Sequence, residues 1–109
     1  MKGKIVLIRF PFTNLTSSKR RPALVLLEKD FDVVVAFISS KIPVVVDENI
    51  VIISNTHKEF IRTGLKVNSV LFLDKIATLS KRLISGELGE IGTQLKSEVN
   101  NCFKKIYQL

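Results

Sequence analysis

The chain has 109 residues, of which 46% are hydrophobic; this suffices for one domain, residues 1–109, with a packed core, and argues against a disordered segment. Seventeen Lys and Arg residues against ten Asp and Glu residues give a formal net charge of +7, which favours polyanionic partners: nucleic acid, an anionic membrane surface or an acidic protein. A single Cys excludes an intramolecular disulfide, in keeping with a reducing compartment, and a single His leaves no zinc site built on such residues.

The N-terminal apolar run is too short for a membrane segment. Arg9 interrupts it after residues 5–8, and no small-residue cleavage site of a signal peptide follows. No apolar run elsewhere approaches the ~20 residues that a membrane-spanning helix needs. We therefore expect a soluble, cytoplasmic protein.

The first half of the chain is predicted to form short β-strands, because its apolar runs are brief and rich in β-branched residues. They cover residues 5–10, 22–27, 31–38, 44–46 and 50–53. Irregular apolar packing is the alternative for residues 44–46. The tight spacing of the second and third runs predicts a hairpin between them.

The next part of the chain mixes short helical and extended patterns. Residues 56–61 predict a helical turn that stops at Gly64, and residues 78–84 predict a short helix. Extended segments are predicted at residues 65–67, 69–73 and 87–91.

The clearest helix runs from about Thr93 to Tyr107. Its apolar residues recur at steps of three and four and form one stripe: Leu95, Val99, Cys102, Phe103 and Ile106. Thr93 is the candidate N-cap. We interpret the stripe as core packing, with Cys102 as a small core hydrophobe; a membrane or partner helix is the alternative. Many short strands followed by this helix predict a small, mostly antiparallel β-barrel with a helix packed on it.

A polar and then basic segment separates the first two predicted strands. It contains Thr13, Asn14, Thr16, Ser17 and Ser18, followed by Lys19, Arg20 and Arg21. Hydroxyl and backbone donors beside fixed guanidinium groups suit an oxyanion such as a phosphate. Because short basic clusters are weak motifs, a solvated hairpin loop is the alternative.

Short motifs along the chain match one known family in order. They are IVLIRFP at 5–11, RPALV at 21–25, ISS at 38–40, NSVL at 68–71, DKIAT at 74–78 and a segment ending in ELG at 83–89. Through them the chain resembles the MazF/PemK toxins of type II toxin–antitoxin systems. The resemblance implies a mainly β (α+β) fold, an SH3-like antiparallel barrel with short helices and a C-terminal helix, that pairs as a homodimer.

The resemblance also implies an activity. Members of this family are sequence-specific endoribonucleases that cut single-stranded RNA, mostly messenger RNA, without a metal or other cofactor. The 2′-hydroxyl attacks the adjacent phosphate and leaves a 2′,3′-cyclic phosphate and a 5′-hydroxyl. By their places in the motifs, the catalytic arginine corresponds to Arg21 and the catalytic hydroxyl to Ser39. A surface charge and a strand-ending serine are the alternative interpretations of these two residues.

One departure from the family pattern concerns the general base. Many relatives carry Gly-Ser-Glu-Gln in the first loop, where this chain has Leu-Thr-Ser-Ser at 15–18. The glutamate that relatives offer there as a proton acceptor is absent, and Arg stays protonated at ordinary pH. The sequence therefore assigns no general base.

The remaining candidates would bind RNA through charge, stacking and base edges. They are Phe12, Asn14, Thr16, Ser17, Lys19, Arg20, Ser40 and Lys41. Phe12 stacks on a base or packs in the core. The implied inhibitor is a cognate antitoxin whose acidic, disordered segment occupies the RNA groove, which a chain of charge +7 suits.

Two other classes of function remain as alternatives. One is a non-catalytic RNA-binding barrel whose charge serves affinity alone. The other is a gyrase-poisoning toxin of the same fold; those relatives rely on a C-terminal tryptophan, and this chain has no Trp.

Overall fold

The computed structural model describes residues 1–10 and 19–109, except for the side chain of Phe10. Within these residues there are six strands and two α-helices. The strands are β1 (Lys4–Phe10), β2 (Lys19–Glu28), β3 (Asp32–Ser39), β4 (Ile50–Ile53), β5 (Ser69–Ser80) and β6 (Ile84–Glu90). The helices are α1 (Phe60–Thr63) and α2 (Thr93–Ile106), and a 3-10 turn covers Lys81–Leu83. None of these helices is long and apolar enough to cross a membrane.

The six strands form one antiparallel sheet in the order β4-β5-β3-β2-β1-β6. The predicted mainly β fold with a C-terminal helix is confirmed. The end strands β4 and β6 are not paired with each other in the described part of the chain, so the sheet is not a closed barrel.

Both faces of the sheet are covered near its centre. On one face, Ile5, Leu24, Ala36 and Leu71 pack with residues of α2 in one core cluster. A second cluster contains Val6, Ile8, Ala23, Val25, Val33 and Val35. Burying a side chain of this size contributes about 1.5–3 kcal/mol, so the two clusters hold the middle of β1, β2 and β3 firmly in register.

Helix α2 packs through the predicted stripe. Leu95, Val99 and Cys102 are buried against the sheet, which confirms the interpretation as core packing. The Cys102 thiol donates to the Glu48 carbonyl oxygen at 3.1 Å, and desolvation raises the pKa of this thiol.

The start of α2 differs from the prediction. The N-cap residue is Gly92, not Thr93, and no side chain of the helix itself caps it. Instead, the carboxylate of Glu59 accepts from the backbone N–H groups of Gln94 at 2.9 Å and Leu95 at 2.8 Å. A cap contributed from a distant part of the chain leaves no signal in the local sequence.

Two predicted elements are wrong. Residues 44–46 form no strand: they lie outside the sheet, with Val44 fully exposed. Residues 65–67, predicted as an extended segment, precede β5 and lie outside the strands of the sheet. The helix predicted at 78–84 is instead the end of β5, the 3-10 turn and the start of β6, because Leu79 pairs with Val33 in the sheet and packs on the second core cluster.

The predicted stop at Gly64 is confirmed, although α1 begins at Phe60 rather than near Thr56. Gly64 has φ +74°, and a Cβ there would stand 2.1 Å from the Leu88 carbonyl oxygen. A left-handed conformation in such close contact with β6 requires glycine.

Candidate functional site

The sheet brings Arg21 and Ser39 to the same place. Ala23 of β2 is the antiparallel partner of Phe37 in β3. Arg21 and Ser39 each lie two residues further toward the same end of this strand pair, and a two-residue step keeps a side chain on the same face. The two candidate catalytic residues, 18 positions apart in sequence, are therefore neighbours across adjacent strands.

Arg21 and Ser39 line an open cleft of about 370 Å³, here called the basic cleft. Its lining residues are Lys19, Arg20, Arg21, Pro22, Ile38, Ser39, Ser40 and Lys41. Every predicted site residue that the structure describes is thus part of one surface. Phe12, Asn14, Thr16 and Ser17 lie outside the described residues.

Strand β2 begins at Lys19, three residues before the predicted start. The three added residues, Lys19, Arg20 and Arg21, are all basic and line the cleft. Lys19, Arg20, Arg21 and Lys41 are all exposed. None of them forms an ion pair with another described residue. Four cations without acidic partners create a positive surface that attracts polyanions.

The Ser39 hydroxyl is held by the backbone that follows β3. Its oxygen accepts a hydrogen bond from the backbone N–H of Lys41 at 3.0 Å. A hydroxyl has one hydrogen and two acceptor lone pairs. Because the oxygen already accepts from Lys41, its hydrogen points elsewhere and can be donated to an anion in the cleft.

The described lining of the basic cleft contains no carboxylate and no imidazole. Residues 11–18, PFTNLTSS, include no such side chain by sequence. The cleft can therefore bind and polarise an oxyanion, while the general base stays unassigned.

His57 is a structural residue. Its Nδ1 accepts from the Glu59 backbone N–H at 3.0 Å, so Nε2 carries the hydrogen and donates to Glu98 at 2.9 Å. The imidazole ties the segment before α1 to α2. Among the described residues, no group of three or more His, Cys, Asp or Glu side chains could hold a metal ion.

Arg9 is a cation of this region that the sequence interpretation missed. It lies directly opposite Arg20 across the β1–β2 pair and is exposed. In the sequence it stands out only as a break in an apolar run. Its partner follows from the register of β1 and β2, which local sequence patterns do not give.

Solved structures of toxins share this fold. A mycobacterial endoribonuclease in complex with its cognate antitoxin matches with a TM-score of 0.74 and 16% identity, covering 100% of this chain and 95% of that one. The Mycobacterium tuberculosis toxin MazF-mt6 matches with a TM-score of 0.74 and 17% identity, covering 97% of both chains. MazF from Deinococcus radiodurans matches with a TM-score of 0.69 and 21% identity, covering 98% of this chain and 94% of that one.

A search of curated protein sequences found no significant match. A family model does match, over residues 1–107, and its description is a PemK-like, MazF-like toxin of type II toxin–antitoxin systems. This match spans nearly the whole chain and agrees with the fold of the solved toxins. The chain therefore belongs to the PemK-like, MazF-like toxins of type II toxin–antitoxin systems.

Proposed function

We propose that this toxin is a sequence-specific endoribonuclease that cleaves single-stranded RNA, mostly messenger RNA, in the basic cleft without a metal ion. The observation that carries the proposal is the placement of Arg21 and Ser39 side by side at the ends of β2 and β3, in a cleft lined with cations. Two of the structurally similar proteins are named endoribonucleases, which supports the same reaction.

The proposed reaction is an internal displacement at phosphorus. The 2′-oxygen of the RNA forms a bond to the adjacent phosphorus as the bond from phosphorus to the 5′-oxygen breaks. The 2′-hydroxyl loses its proton, the 5′-oxygen gains one, and the products are a 2′,3′-cyclic phosphate and a 5′-hydroxyl.

Arg21 and Ser39 act on the charge that develops at phosphorus. In the transition state the equatorial oxygens carry more negative charge than in the substrate. The Arg21 guanidinium and the Ser39 hydroxyl, whose oxygen Lys41 fixes, bind that state more tightly than the ground state. Loss of one preorganised donor costs on the order of 10²–10³ in rate.

The partners in this proposal are single-stranded RNA, a second copy of the chain and an acidic antitoxin. The unpaired cations of the basic cleft and the net charge of +7 support both polyanionic ligands. RNA and the acidic antitoxin segment then compete for the surface around Arg21. Simultaneous binding with unchanged affinity for both, measured by titration, contradicts this competition.

The first test is incubation with a long single-stranded RNA in EDTA. We expect discrete fragments with 5′-hydroxyl ends from the wild type and none from Arg21→Ala or Ser39→Ala. Lys2→Ala and Ser97→Ala remove an exposed cation and an exposed hydroxyl away from the cleft and serve as matched controls. Folded wild-type protein that cuts none of several unrelated RNAs contradicts the proposal.

A non-catalytic RNA-binding module is the second candidate. The described cleft lining offers cations that can bind RNA, but no carboxylate or imidazole that could act as a general base. Such a lining is also what a protein that only binds RNA would have. Tight RNA binding without cleavage would favour this alternative.

A further inference from the structure

Arg9 and Arg20 form a pair of like charges on neighbouring strands. They are directly opposite one another in the antiparallel register of β1 and β2, and both are exposed. Residues so placed have Cβ atoms about 4.5–5.5 Å apart and project on the same face of the sheet. Two guanidinium groups therefore stand side by side on that face.

This arrangement is unfavourable for the free protein. Like charges directly opposite in a sheet are destabilising. Neither Arg9 nor Arg20 forms an ion pair with any described residue, and residues 11–18 contain no acidic side chain by sequence. A bound anion between the two groups would turn the repulsion into attraction.

We propose that Arg9 and Arg20 bind a second backbone phosphate of the same RNA strand, one that flanks the phosphate held by Arg21 and Ser39 and lies on the other face of the sheet. The inference rests on the proposed function. Arg20 and Arg21 are consecutive in β2, so their side chains leave the strand toward opposite faces and are suited to different phosphates. Because Arg20 also lines the basic cleft, the second site is continuous with it.

The chemistry of the pair fits a phosphate. Each guanidinium is planar and permanently charged and offers paired donors to two phosphate oxygens. Two such groups from adjacent strands contact one phosphate from two sides without a conformational change in the sheet. This contact reads no base, so it adds affinity and fixes the position of the strand relative to Arg21.

The test measures binding of an RNA that contains the cleavage sequence, made non-cleavable by a 2′-deoxy sugar at the scissile position. We expect Arg9→Ala to weaken binding about 3- to 10-fold at 0.1 M salt and to reduce the slope of log K against log salt by about 0.7, the value for one phosphate contact on a single strand. Arg9→Lys should keep the slope. Lys2→Ala, two residues before the start of β1, should change neither quantity.

Replacing single phosphates of the RNA by an uncharged group identifies the phosphate that Arg9 and Arg20 contact. In matched RNAs, a methylphosphonate replaces each flanking phosphate in turn, always with a 2′-deoxy sugar on its 5′ side. At one flanking position, the neutral group should weaken binding to the wild type more than it weakens binding to Arg9→Ala, because in that variant Arg20 alone is left to contact the phosphate. Additive effects at every position, or an Arg9→Ala effect no larger than that of Lys2→Ala, would overturn the inference.

A thermal melt supplies an independent readout. Arg9→Glu places a carboxylate opposite Arg20, so we expect a higher Tm together with weaker RNA binding. A Tm that does not rise contradicts the unfavourable pairing. Failure of the wild type to cleave any RNA would contradict the proposed function itself. Cleavage by the wild type, with effects of Arg9→Ala and of the neutral phosphate that are independent of each other, would contradict only this second phosphate site.

Discussion

The Glu59 carboxylate accepts a hydrogen bond from the backbone N–H of Leu95 at 2.8 Å, across 36 positions of sequence. The same carboxylate accepts from Gln94, so one side chain satisfies two free N–H groups at the start of α2. Burial raises the pKa of Glu59, but these two hydrogen bonds and the nearby Arg62 outweigh it, and the net pKa is lowered. The segment before α1 thereby anchors the C-terminal helix.

Removing this cap should destabilise the protein. We expect Glu59→Ala to lower Tm by several degrees, with Glu59→Gln intermediate because its amide oxygen still accepts a hydrogen bond. The difference between wild type and Glu59→Gln is present above the unfolded pKa of 4.5 and disappears as the pH falls through the lower folded pKa, because a protonated carboxyl still accepts a hydrogen bond as the amide does. Thermal unfolding followed by circular dichroism measures it, with Lys58→Ala as the control. A pH-independent difference contradicts an ionised cap.

Gly92 leaves the space that the Glu59 carboxylate fills. A Cβ at Gly92 would stand 2.4 Å from Glu59 Oε2, so Gly92→Ala should destabilise by about 1–3 kcal/mol. A Cβ added at Gly86 would have nothing within 4 Å, so Gly86→Ala is the matched control. Its free energy of unfolding should stay within about 0.5 kcal/mol of that of the wild type. In the Glu59→Ala background, Gly92→Ala should cost much less. Equal costs in both backgrounds, in urea unfolding, would contradict the contact.

Glu28 joins the start of the chain to the turn after β5. Its two oxygens lie 2.7 Å from the Lys81 ammonium and 2.7 Å from the terminal amine of Met1. The hydrogen bond from Lys81, followed by that from the terminal amine, lowers the pKa of Glu28 to about 2. We expect wild type to be more stable than Glu28→Gln above pH 4.5, and this advantage to vanish between pH 4.5 and about 2.

Melting both proteins across this pH range at low and high salt tests the expectation. The advantage should shrink in high salt because the groups are solvent-exposed. An advantage that persists at pH 2 would show that it does not come from the charge of Glu28.

The backbone N–H of Lys41 should matter for catalysis separately from its side chain. Lys41→Pro deletes the donor that holds the Ser39 hydroxyl, and we expect kcat to fall about 10- to 100-fold. Lys41→Ala keeps the N–H and should mainly raise KM. Ile42→Pro places the same ring one residue later and controls for stiffening of the segment.

Single-turnover cleavage assays separate these effects. Ser39→Thr in the Lys41→Pro background should recover part of kcat, because a β-branched side chain restricts its own rotamer. An unchanged kcat in folded Lys41→Pro contradicts the role of the N–H. If that variant does not fold, an amide-to-ester replacement at position 41 removes the same donor.

Local sequence patterns are sufficient to predict several elements of this fold. Apolar runs predict β1, β2, β3 and β4, since each strand buries residues on the sheet, and the three- and four-residue spacing predicts α2. Family motifs also led to Arg21 and Ser39, which the sheet then places in one cleft. Their catalytic roles remain predictions.

Features that join distant segments depend on register and packing and have no local signal. The cap of α2 comes from Glu59, and the like-charge partner of Arg9 is Arg20, because register and packing, not neighbouring residues, bring these groups together. Residues 78–84 carry a helical spacing, yet pairing with β3 makes their first part strand. Local propensity contributes fractions of a kcal/mol per residue, whereas burying one such side chain contributes several times more, so packing overrides it.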